Sequence, residues 1–452
     1  MTTQDLFLVR AKATRVLGEY DHAFAIGSDD EFVILYGPNG VGKTRFLEVI
    51  DSLSRLKGSA LLLLPFETAL LEYSDGSRLA AKKKPHPKDS GKDSPESSGT
   101  VDLSLHRPGR KVVSWTYGDD EFAKFIRATT PYRQIGEDFW EDPRDAEIVH
   151  VDELRERYGR RVPDANPVPA ALQKFTDKVP SYLIETQRLR IEQEMQPRLG
   201  TYRHIPPSRA KRRPRSRIKE QAEKLQQLVN EAQTEHSRIT QRLDRTFPNR
   251  VLGTEATNLV LDADKIRERY DAQNEFRSRL GRVASVALED ELSLPARTLE
   301  DWELKLLDLY LRDADEKLAP FEGLLQQIEL IEQIINSRLL NKQLRVTDGD
   351  GLTVKHSVDA REIDLDFLSS GEQHEIILMI DLLFNVPRGA VVLIDEPEIS
   401  LHIVWQLAFI PDVRRIAALA GFRFVVATHS PQIINDEWDR AIRLGPPEAA
   451  FS

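Results

Sequence analysis

The sequence of 452 residues contains no cysteine. This absence excludes disulfide bonds, thiolate catalysis and metal sites built on Cys ligands. No apolar run approaches the ~18–20 residues that a membrane-spanning helix needs. The first residues also lack the basic start and the apolar core of a secretory signal peptide. We therefore expect a cytoplasmic protein that has no membrane partner.

The sequence also lacks a large excess of charge of one sign. Its 63 Lys and Arg residues face 73 Asp and Glu residues, which gives a formal net charge of −10. Because the whole chain is not a polycation, any nucleic-acid binding must come from a local patch or from a partner. The length predicts two or three structural units, with ample residues for a large core.

The two ends of the chain differ from its middle. Residues 1–204 and 341–452 alternate strand-type and helix-type patterns, which predicts one α/β domain closed from both ends, with a mixed sheet and an antiparallel side sheet. Residues 205–340 predict an inserted antiparallel helical domain or short coiled coil, with arms of ~30 residues that reach ~45 Å. The Ser-, Pro-, Lys- and Asp-rich stretch 74–100 predicts a mobile loop.

A Gly-rich stretch, Gly37-Pro-Asn-Gly-Val-Gly-Lys-Thr44, follows a strand-type run and precedes residues with helical spacing. Such glycines let backbone N–H groups approach phosphate oxygens, and the next helix presents its positive end to them. Lys43 is suited to bridge two phosphates, and the Thr44 hydroxyl is suited to bind Mg²⁺. The alternative is a Gly-rich turn with a chance lysine, but the flanking strand and helix favour a phosphate-binding loop.

An apolar run, Val391-Val-Leu-Ile-Asp395-Glu396, ends in two carboxylates. Asp395 at the strand tip is suited to hold Mg²⁺, and Glu396 is suited to act as general base toward water. The alternative is a strand that ends in solvated acids, which is common in α/β proteins. The phosphate-binding loop elsewhere in the chain favours the functional interpretation.

His429 follows another apolar strand, Phe424–Ala427. A side chain at the carboxyl end of a parallel strand lies at the ligand crevice, so His429 could donate to a terminal phosphate. A buried histidine that bonds only to backbone is the alternative, and the position after the acidic strand favours the phosphate.

The stretch Leu368-Ser-Ser-Gly-Glu-Gln373 predicts a helix that begins near Ser370 and Gly371. The N–H groups and the dipole at a helix N-terminus favour a bound anion. The same residues are also typical of an ordinary N-cap with acidic residues in the first turn, and on physical grounds alone both interpretations stay open.

In their order, these motifs resemble the nucleotide-binding domain of ABC-type ATPases, with Gly37–Thr44 as Walker A, Leu368–Gln373 as the signature, Val391–Glu396 as Walker B and His429 as the H-switch. The stretches Leu393–His402 and Ala427–Pro431 resemble the soluble branch of these ATPases, which includes Rad50, SMC, RecF and OLD-type proteins. They are also similar to the AAA_15 and AAA_21 groups. The resemblance implies ATP and Mg²⁺. It implies nucleotide contacts from Gly37, Pro38, Asn39, Gly40, Val41, Gly42, Lys43, Thr44, Arg45, Ser369, Ser370, Gly371 and Glu372.

The resemblance also implies the remaining roles. Gln187, after the strand Tyr182–Ile184, matches the Q-loop glutamine that contacts nucleotide and metal. The catalytic residues implied are Lys43, Glu396 and His429, and the metal ligands implied are Thr44, Asp395 and Gln187.

Two protomers of such an ATPase pack head to tail with ATP between them, so the resemblance implies a homodimer or higher oligomer. Ser370 and Gly371 of one copy would then contact the nucleotide that Lys43 of the other copy binds. Few residues follow His429, so we expect no appended nuclease domain. The chain thus resembles the stand-alone ATPase of PARIS-like or Septu-like phage-defence systems, which act with a separately encoded nuclease or toxin.

A second hypothesis is a Rad50-like or RecF-like ATPase that repairs or clamps DNA. The basic run Arg203–Lys219 could neutralise phosphates without reading base sequence. A solvated basic loop and a dock for an acidic partner are equally compatible with this run. A third hypothesis is a structural ATP switch with slow turnover that regulates assembly.

Overall fold

The computed structural model describes residues 6–27, 30–84, 100–118, 121–135, 139–144, 147–158, 167–185, 216–252, 262–284, 294–295 and 297–446. The chain divides into two compact units. One comprises Met1–Leu189 with Val386–Ser452, and the other comprises Arg190–Asn385.

The secondary structure elements are numbered here in chain order. The strands are β1 (Leu8–Val16), β2 (Tyr20–Ala25), β3 (Phe32–Tyr36), β4 (Thr68–Tyr73), β5 (Arg78–Lys84), β6 (Thr100–His106), β7 (Val113–Tyr117), β8 (Arg133–Gln134), β9 (Phe139–Asp142), β10 (Glu147–His150), β11 (Ser181–Glu185), β12 (Lys342–Thr347), β13 (Gly351–His356), β14 (Glu362–Ile363), β15 (Val391–Asp395), β16 (Arg423–Thr428) and β17 (Ala441–Arg443). The helices are α1 (Lys43–Ser54), α2 (Gly58–Leu63), α3 (Glu121–Thr129), α4 (Val151–Tyr158), α5 (Ala170–Thr176), α6 (Arg217–Leu252), α7 (Ala263–Leu280), α8 (Asp301–Asn336), α9 (Ser370–Ile380), α10 (Ile403–Ala420) and α11 (Pro431–Ile434).

A five-stranded sheet in the order β11-β15-β16-β3-β17 forms the centre of the first unit. Each neighbouring pair in this sheet is parallel. Every residue of β15 is buried, as expected for a parallel strand covered on both faces. Because parallel strands end at the same edge of a sheet, the residues that follow β3, β15 and β16 are brought together there.

A second sheet of the first unit is antiparallel, in the order β2-β1-β4-β5-β6-β7. Helix α1 contacts β1, β4 and β5 of this sheet and β11, β15 and β16 of the parallel sheet. Its side chains Phe46, Leu47, Val49, Ile50 and Leu53 are all buried between them. The predicted α/β fold class, with an antiparallel side sheet, is confirmed.

The predicted mobile loop over residues 74–100 is wrong for residues 78–84, which form β5. Leu79 and Ala81 of β5 are buried in the core. Lys83 lies over the Phe66 ring at 4.9 Å, and its ammonium donates to the carbonyl oxygens of Leu62 and Leu64. Burial of this ammonium lowers the pKa of Lys83 to about 8. The lysine-rich composition hid a buried strand, and residues 85–99 lie outside the described residues.

The described residues between 121 and 158 form a small α/β subdomain that the sequence analysis did not predict. The subdomain consists of a three-stranded sheet in the order β10-β9-β8 and of the helices α3 and α4. The subdomain has its own core, which consists of Ile126, Tyr132, Trp140, Val149 and Leu154.

Long helices dominate the second unit. Helices α6 and α8 have 36 residues each, which corresponds to ~54 Å. Nδ1 of His236 is 2.7 Å from the carbonyl oxygen of Lys317, whereas Arg250, further along α6, donates to Asp313, earlier in α8. The two helices therefore run antiparallel, as predicted. Their buried residues follow the spacing of a coiled coil, with Ile218, Ala222, Leu225, Val229 and Ala232 in α6 and Leu311, Ala314, Leu318, Phe321, Leu325 and Ile328 in α8.

The rest of the second unit packs on these helices. The antiparallel sheet β12-β13-β14 contacts α6 and α8, and α9 contacts the same two helices. The compact unit therefore extends beyond the predicted insert, and the domain boundaries at 204 and 340 stay predictions. Among the helices of the described ranges, none is both long enough and apolar enough to span a membrane.

We expect Gly351→Ala to destabilise the second unit. Gly351 has φ +72°, and a Cβ there would lie 1.9 Å from the carbonyl oxygen of Ala222 in α6. The backbone strain and the displacement of α6 should lower the free energy of unfolding by about 2–4 kcal/mol. Urea unfolding measures this change. Gly349→Ala in the same turn is the matched control, because a Cβ there meets no atom within 4 Å. Equal unfolding midpoints for the two variants would contradict the expectation.

Candidate nucleotide-binding site

The Gly-rich loop connects the end of β3 to the start of α1. Gly42 is the N-cap of α1 and has φ 87°. A Cβ at this position would lie 2.9 Å from Cγ1 of Val16, and a Cβ at Gly37 would lie 2.4 Å from the carbonyl oxygen of Leu444. Two of the glycines are therefore required by close approach of the surrounding chain, while Pro38 and Asn39 are exposed.

The Lys43 side chain lies inside this loop. Its residue is 5% exposed, and its ammonium donates to the carbonyl oxygens of Gly37 at 2.8 Å and Pro38 at 3.2 Å. Burial lowers the pKa of Lys43, and the carboxylates of Glu396 and Asp395 oppose that effect. The ammonium is thus held between the loop and the acidic strand.

Thr44 and Asp395 meet although 351 residues separate them in the sequence, and the Thr44 hydroxyl donates to Oδ2 of Asp395 at 2.8 Å. Burial raises the pKa of Asp395 to about 7; the bond from Thr44 opposes this rise, and the charges of Glu396, Glu185 and Glu48 add to it. Glu185 is the register partner of Asp395 in β11.

A hydroxyl and a carboxylate fit Mg²⁺, which prefers oxygen ligands and takes most of the others from water and substrate phosphates. Within the described residues, no group of three or more His, Cys, Asp or Glu side chains could hold a metal ion. Of the three predicted metal ligands, the structure describes Thr44 and Asp395 and places them in contact.

Glu396 follows β15 in a strained backbone conformation. Its φ is 46°, in the left-handed region that non-glycine residues rarely adopt. Its backbone N–H donates to the carbonyl oxygen of Ala427 at 2.8 Å, which ties the end of β15 to β16. The carboxylate is half-buried, and its Oε1 is 3.8 Å from Nδ1 of His429.

Glu398 organises the residues around His429, and the sequence analysis missed it. Its Oε1 accepts hydrogen bonds from the Thr428 hydroxyl at 2.7 Å, the His429 N–H at 2.8 Å and the Ser430 N–H at 3.2 Å. Nδ1 of His429 is 3.0 Å from the same oxygen. The sequence does contain one signal for Glu398, because it is a third acid two residues after Glu396 in Asp395-Glu-Pro-Glu398. The bonds fix the backbone of His429 and leave its imidazole 43% exposed.

The signature residues lie in the second unit, where α9 begins at Ser370 as predicted. Ser369 is the N-cap, and it forms a capping box with Glu372. The Glu372 carboxylate accepts from the N–H and the hydroxyl of Ser369, each at 2.9 Å. Both of its oxygens are 2.8 Å from the Lys342 ammonium. Burial, which raises the pKa of Glu372, is outweighed by these bonds, so the pKa lies below its ordinary value.

The capping alternative is thus present in the structure, with Ser369, Ser370 and Gly371 at the same helix end. The Lys342 ammonium also lies at the N-terminal end of α9, and the sequence analysis missed this residue. Its role depends on the fold, because it begins β12 and meets Glu372 from 30 residues away.

The structure describes only some of the other residues that were predicted to bind nucleotide, metal or DNA. Gln187 and residues 203–215 of the basic run lie outside the described residues. Lys219, at the end of that run, pairs with Asp364 at 2.9 Å and Asp366 at 2.6 Å. Arg45 pairs with Glu48 at 2.7 Å. The structure therefore brings the loop, Asp395, Glu396 and His429 to one edge of the parallel sheet.

Comparison with solved structures gives matches to SMC head domains. A head domain with an extended coiled coil, bound to the C-terminal domain of ScpA, from Pyrococcus furiosus is 11% identical; the match covers 97% of this chain and 93% of that chain, with a TM-score of 0.36. The SMC head domain from Thermotoga maritima is 9% identical over 98% of this chain and 100% of that chain, with a TM-score of 0.32.

A family model matches residues 205–435 of the chain, which is just over half of its length. The match includes the signature residues, the acidic strand and His429. The predicted resemblance to the AAA_21 group is confirmed. The chain belongs to the AAA_21 family, described as "AAA domain, putative AbiEii toxin, Type IV TA system".

Proposed function

We propose that this chain binds MgATP at the edge of its parallel sheet and hydrolyses it. The contact between Thr44 and Asp395 carries the proposal. It places a hydroxyl of the phosphate-binding loop against the acid that ends β15, a strand separated from β3 by β16. A Mg²⁺-bound triphosphate requires this arrangement.

Each residue at this edge then has a role. Lys43 binds the β- and γ-phosphates, and the loop N–H groups from Gly37 to Arg45 surround the phosphates. Bound Mg²⁺ would neutralise charge on the phosphate oxygens, with Thr44, Asp395 and the predicted ligand Gln187 around it. Glu396 accepts a proton from the attacking water, and His429 donates to the terminal phosphate.

The second half of the proposal is a head-to-tail homodimer. The N-terminus of α9, with Ser369, Ser370, Gly371 and Glu372, binds the γ-phosphate held by another copy. ATP therefore binds the closed dimer better than the open chain, and it shifts the population toward the dimer. Hydrolysis through Glu396 reverses that shift.

In the cell, we propose that this switch senses infection and controls a separately encoded nuclease or toxin. The description of the family, which names a toxin–antitoxin system, supports this role. The competing hypothesis of a DNA-repair or DNA-clamping ATPase rests on residues 203–215, outside the described residues, and Lys219 is already paired with two carboxylates. The cytoplasmic location stays a prediction.

The whole proposal is tested by MgATP binding and phosphate release with purified protein. Wild-type protein should bind MgATP and release phosphate, whereas Lys43→Ala should bind at least about tenfold more weakly, since it loses a charged contact to the phosphates. Equal binding by both proteins would contradict the site.

We expect Glu396→Gln to accumulate as an ATP-bound dimer, because it keeps the phosphate contacts and loses the general base. Multi-angle light scattering with MgATP should give about twice the monomer mass, with phosphate release reduced by about 10²-fold or more. The matched control is Glu396→Gln with Ser370→Glu, whose added charge suits a helix N-terminus but repels phosphate. That double variant should stay monomeric, and dimerisation equal to that of Glu396→Gln would contradict the head-to-tail arrangement.

Asp395 should make stability depend on pH in the metal-free protein. Because the pKa of Asp395 is raised from 3.8 to about 7, the folded protein retains a proton that the unfolded chain releases between these values. The free energy of unfolding therefore falls as pH rises through this window. Between the two ends of this pH window, the free energy of unfolding of wild type should fall by about 2–4 kcal/mol relative to that of Asp395→Asn. Urea unfolding in EDTA across this range measures the difference, and parallel curves for the two proteins would contradict the assignment.

We expect Glu398→Gln to change the position of His429 and to leave MgATP binding largely unchanged. The neutral amide oxygen of glutamine accepts hydrogen bonds more weakly than the carboxylate oxygen, so the backbone of Thr428–Ser430 is held less firmly. We expect kcat to fall by about 10–100-fold, the effect of misplacing a catalytic group, with MgATP affinity within about threefold of wild type. Glu437→Gln is the control, since Glu437 pairs with Arg414 and Arg440. A kcat for Glu398→Gln equal to that of the control would contradict the role.

A further inference from the structure

His22 occupies a core position in β2. It is 1% exposed, and Phe24, two residues further on the same face, is 2% exposed. Both rings contact Phe46 of α1, with centroid distances of 5.5 Å for His22 and 5.9 Å for Phe24. An apolar side chain would satisfy this packing. Burial of an imidazole here costs free energy unless its N–H is hydrogen-bonded.

The partner of this imidazole is the phosphate-binding loop. Nε2 of His22 is 2.7 Å from the carbonyl oxygen of Val41. Because a carbonyl oxygen only accepts, the Nε2 atom carries the hydrogen and donates it. Burial lowers the pKa of His22, which favours the neutral ring.

This bond fixes one peptide plane of the loop. In a trans peptide the C=O and the N–H point in opposite directions. The Val41 carbonyl points into the core toward His22, so the N–H of Gly42 points away from the core. A phosphate-binding loop needs its N–H groups on that side, and a peptide turned over would present a carbonyl oxygen to the phosphate instead.

The chain leaves this peptide free to rotate on one side. A rotation of the Val41–Gly42 peptide changes ψ of Val41 and φ of Gly42, and Gly42 has φ 87°. Glycine adopts positive and negative φ with similar ease, so the residue that gives the loop its shape also permits the peptide to turn over. A donor outside the loop removes that freedom.

We propose that His22 is a positioning residue of the nucleotide site: its Nε2–H holds the Val41–Gly42 peptide in the orientation that presents the Gly42 N–H to a bound phosphate. The proposal rests on the proposed binding of MgATP. It adds a residue on β2, 19 positions before Val41, that touches the loop rather than the nucleotide.

Three variants separate positioning from packing. His22→Leu keeps an apolar side chain against Phe46 and removes the donor. His22→Gln places a side-chain N–H at a similar distance from the backbone. Phe24→Leu reduces the same packing against Phe46 and leaves the bond to Val41 in place. Calorimetric titration with MgATP gives the affinity, steady-state phosphate release gives KM and kcat, and thermal unfolding gives stability.

We expect His22→Leu to bind MgATP about tenfold more weakly and to raise KM by a similar factor, because one hydrogen bond to a charged phosphate is weakened. Its kcat at saturating ATP should stay within about twofold, since Glu396 and His429 are unchanged. His22→Gln should recover most of the affinity. Phe24→Leu should lower the melting temperature and leave KM unchanged.

Wild-type affinity in His22→Leu would overturn the positioning role while leaving the proposed function intact. Equal losses of affinity in His22→Leu and Phe24→Leu, or no recovery in His22→Gln, would assign the effect to packing and overturn the role as well. If the wild-type protein binds no MgATP in the same titration, both the role and the proposed function are wrong.

Discussion

The hydrogen bond between Thr44 and Asp395 connects the two distant parts of the chain that form the candidate site. It joins the start of α1 to the end of β15, and it exists because α1 packs between the two sheets of the first unit. The same register brings Glu185 beside Asp395. A buried carboxylate with acidic neighbours has a raised pKa, and this local cost in free energy is offset when a cation arrives. In the proposed function this cation is Mg²⁺.

Support for the proposed reacting groups comes from residues that were not predicted as site residues. The carboxylate of Glu398 fixes the backbone of His429, the imidazole of His22 fixes a loop peptide, and the Lys342 ammonium balances Glu372 at the start of α9. Each supporting group is buried or half-buried and makes a short hydrogen bond. Such groups hold the geometry that the exposed residues need, because an exposed side chain has no packing of its own to orient it.

The sequence predicted the features that have local patterns. Glycines beside an apolar run identified the loop after β3, and two acids after a buried run identified Asp395 and Glu396. The strand β5 was missed because Lys82, Lys83 and Lys84 give it the composition of a solvated loop, while Lys83 in fact bonds carbonyl oxygens. His22 and Lys342 were missed because their partners are set by tertiary contacts, which no local pattern reports. Glu398 stands in the sequence as a third acid beside Asp395 and Glu396, but its partners are set by the fold as well.

The proposal that Thr44 and Asp395 bind Mg²⁺ beside ATP is tested by the effect of Mg²⁺ on ATP affinity. The affinity is measured in wild type and in Thr44→Val by calorimetric titration with and without EDTA. Valine keeps the shape of threonine and removes the hydroxyl. We expect Mg²⁺ to tighten ATP binding by about tenfold or more in wild type, and we expect the variant to lose most of this gain. An equal Mg²⁺ effect in both proteins, or none in wild type, would contradict the proposal.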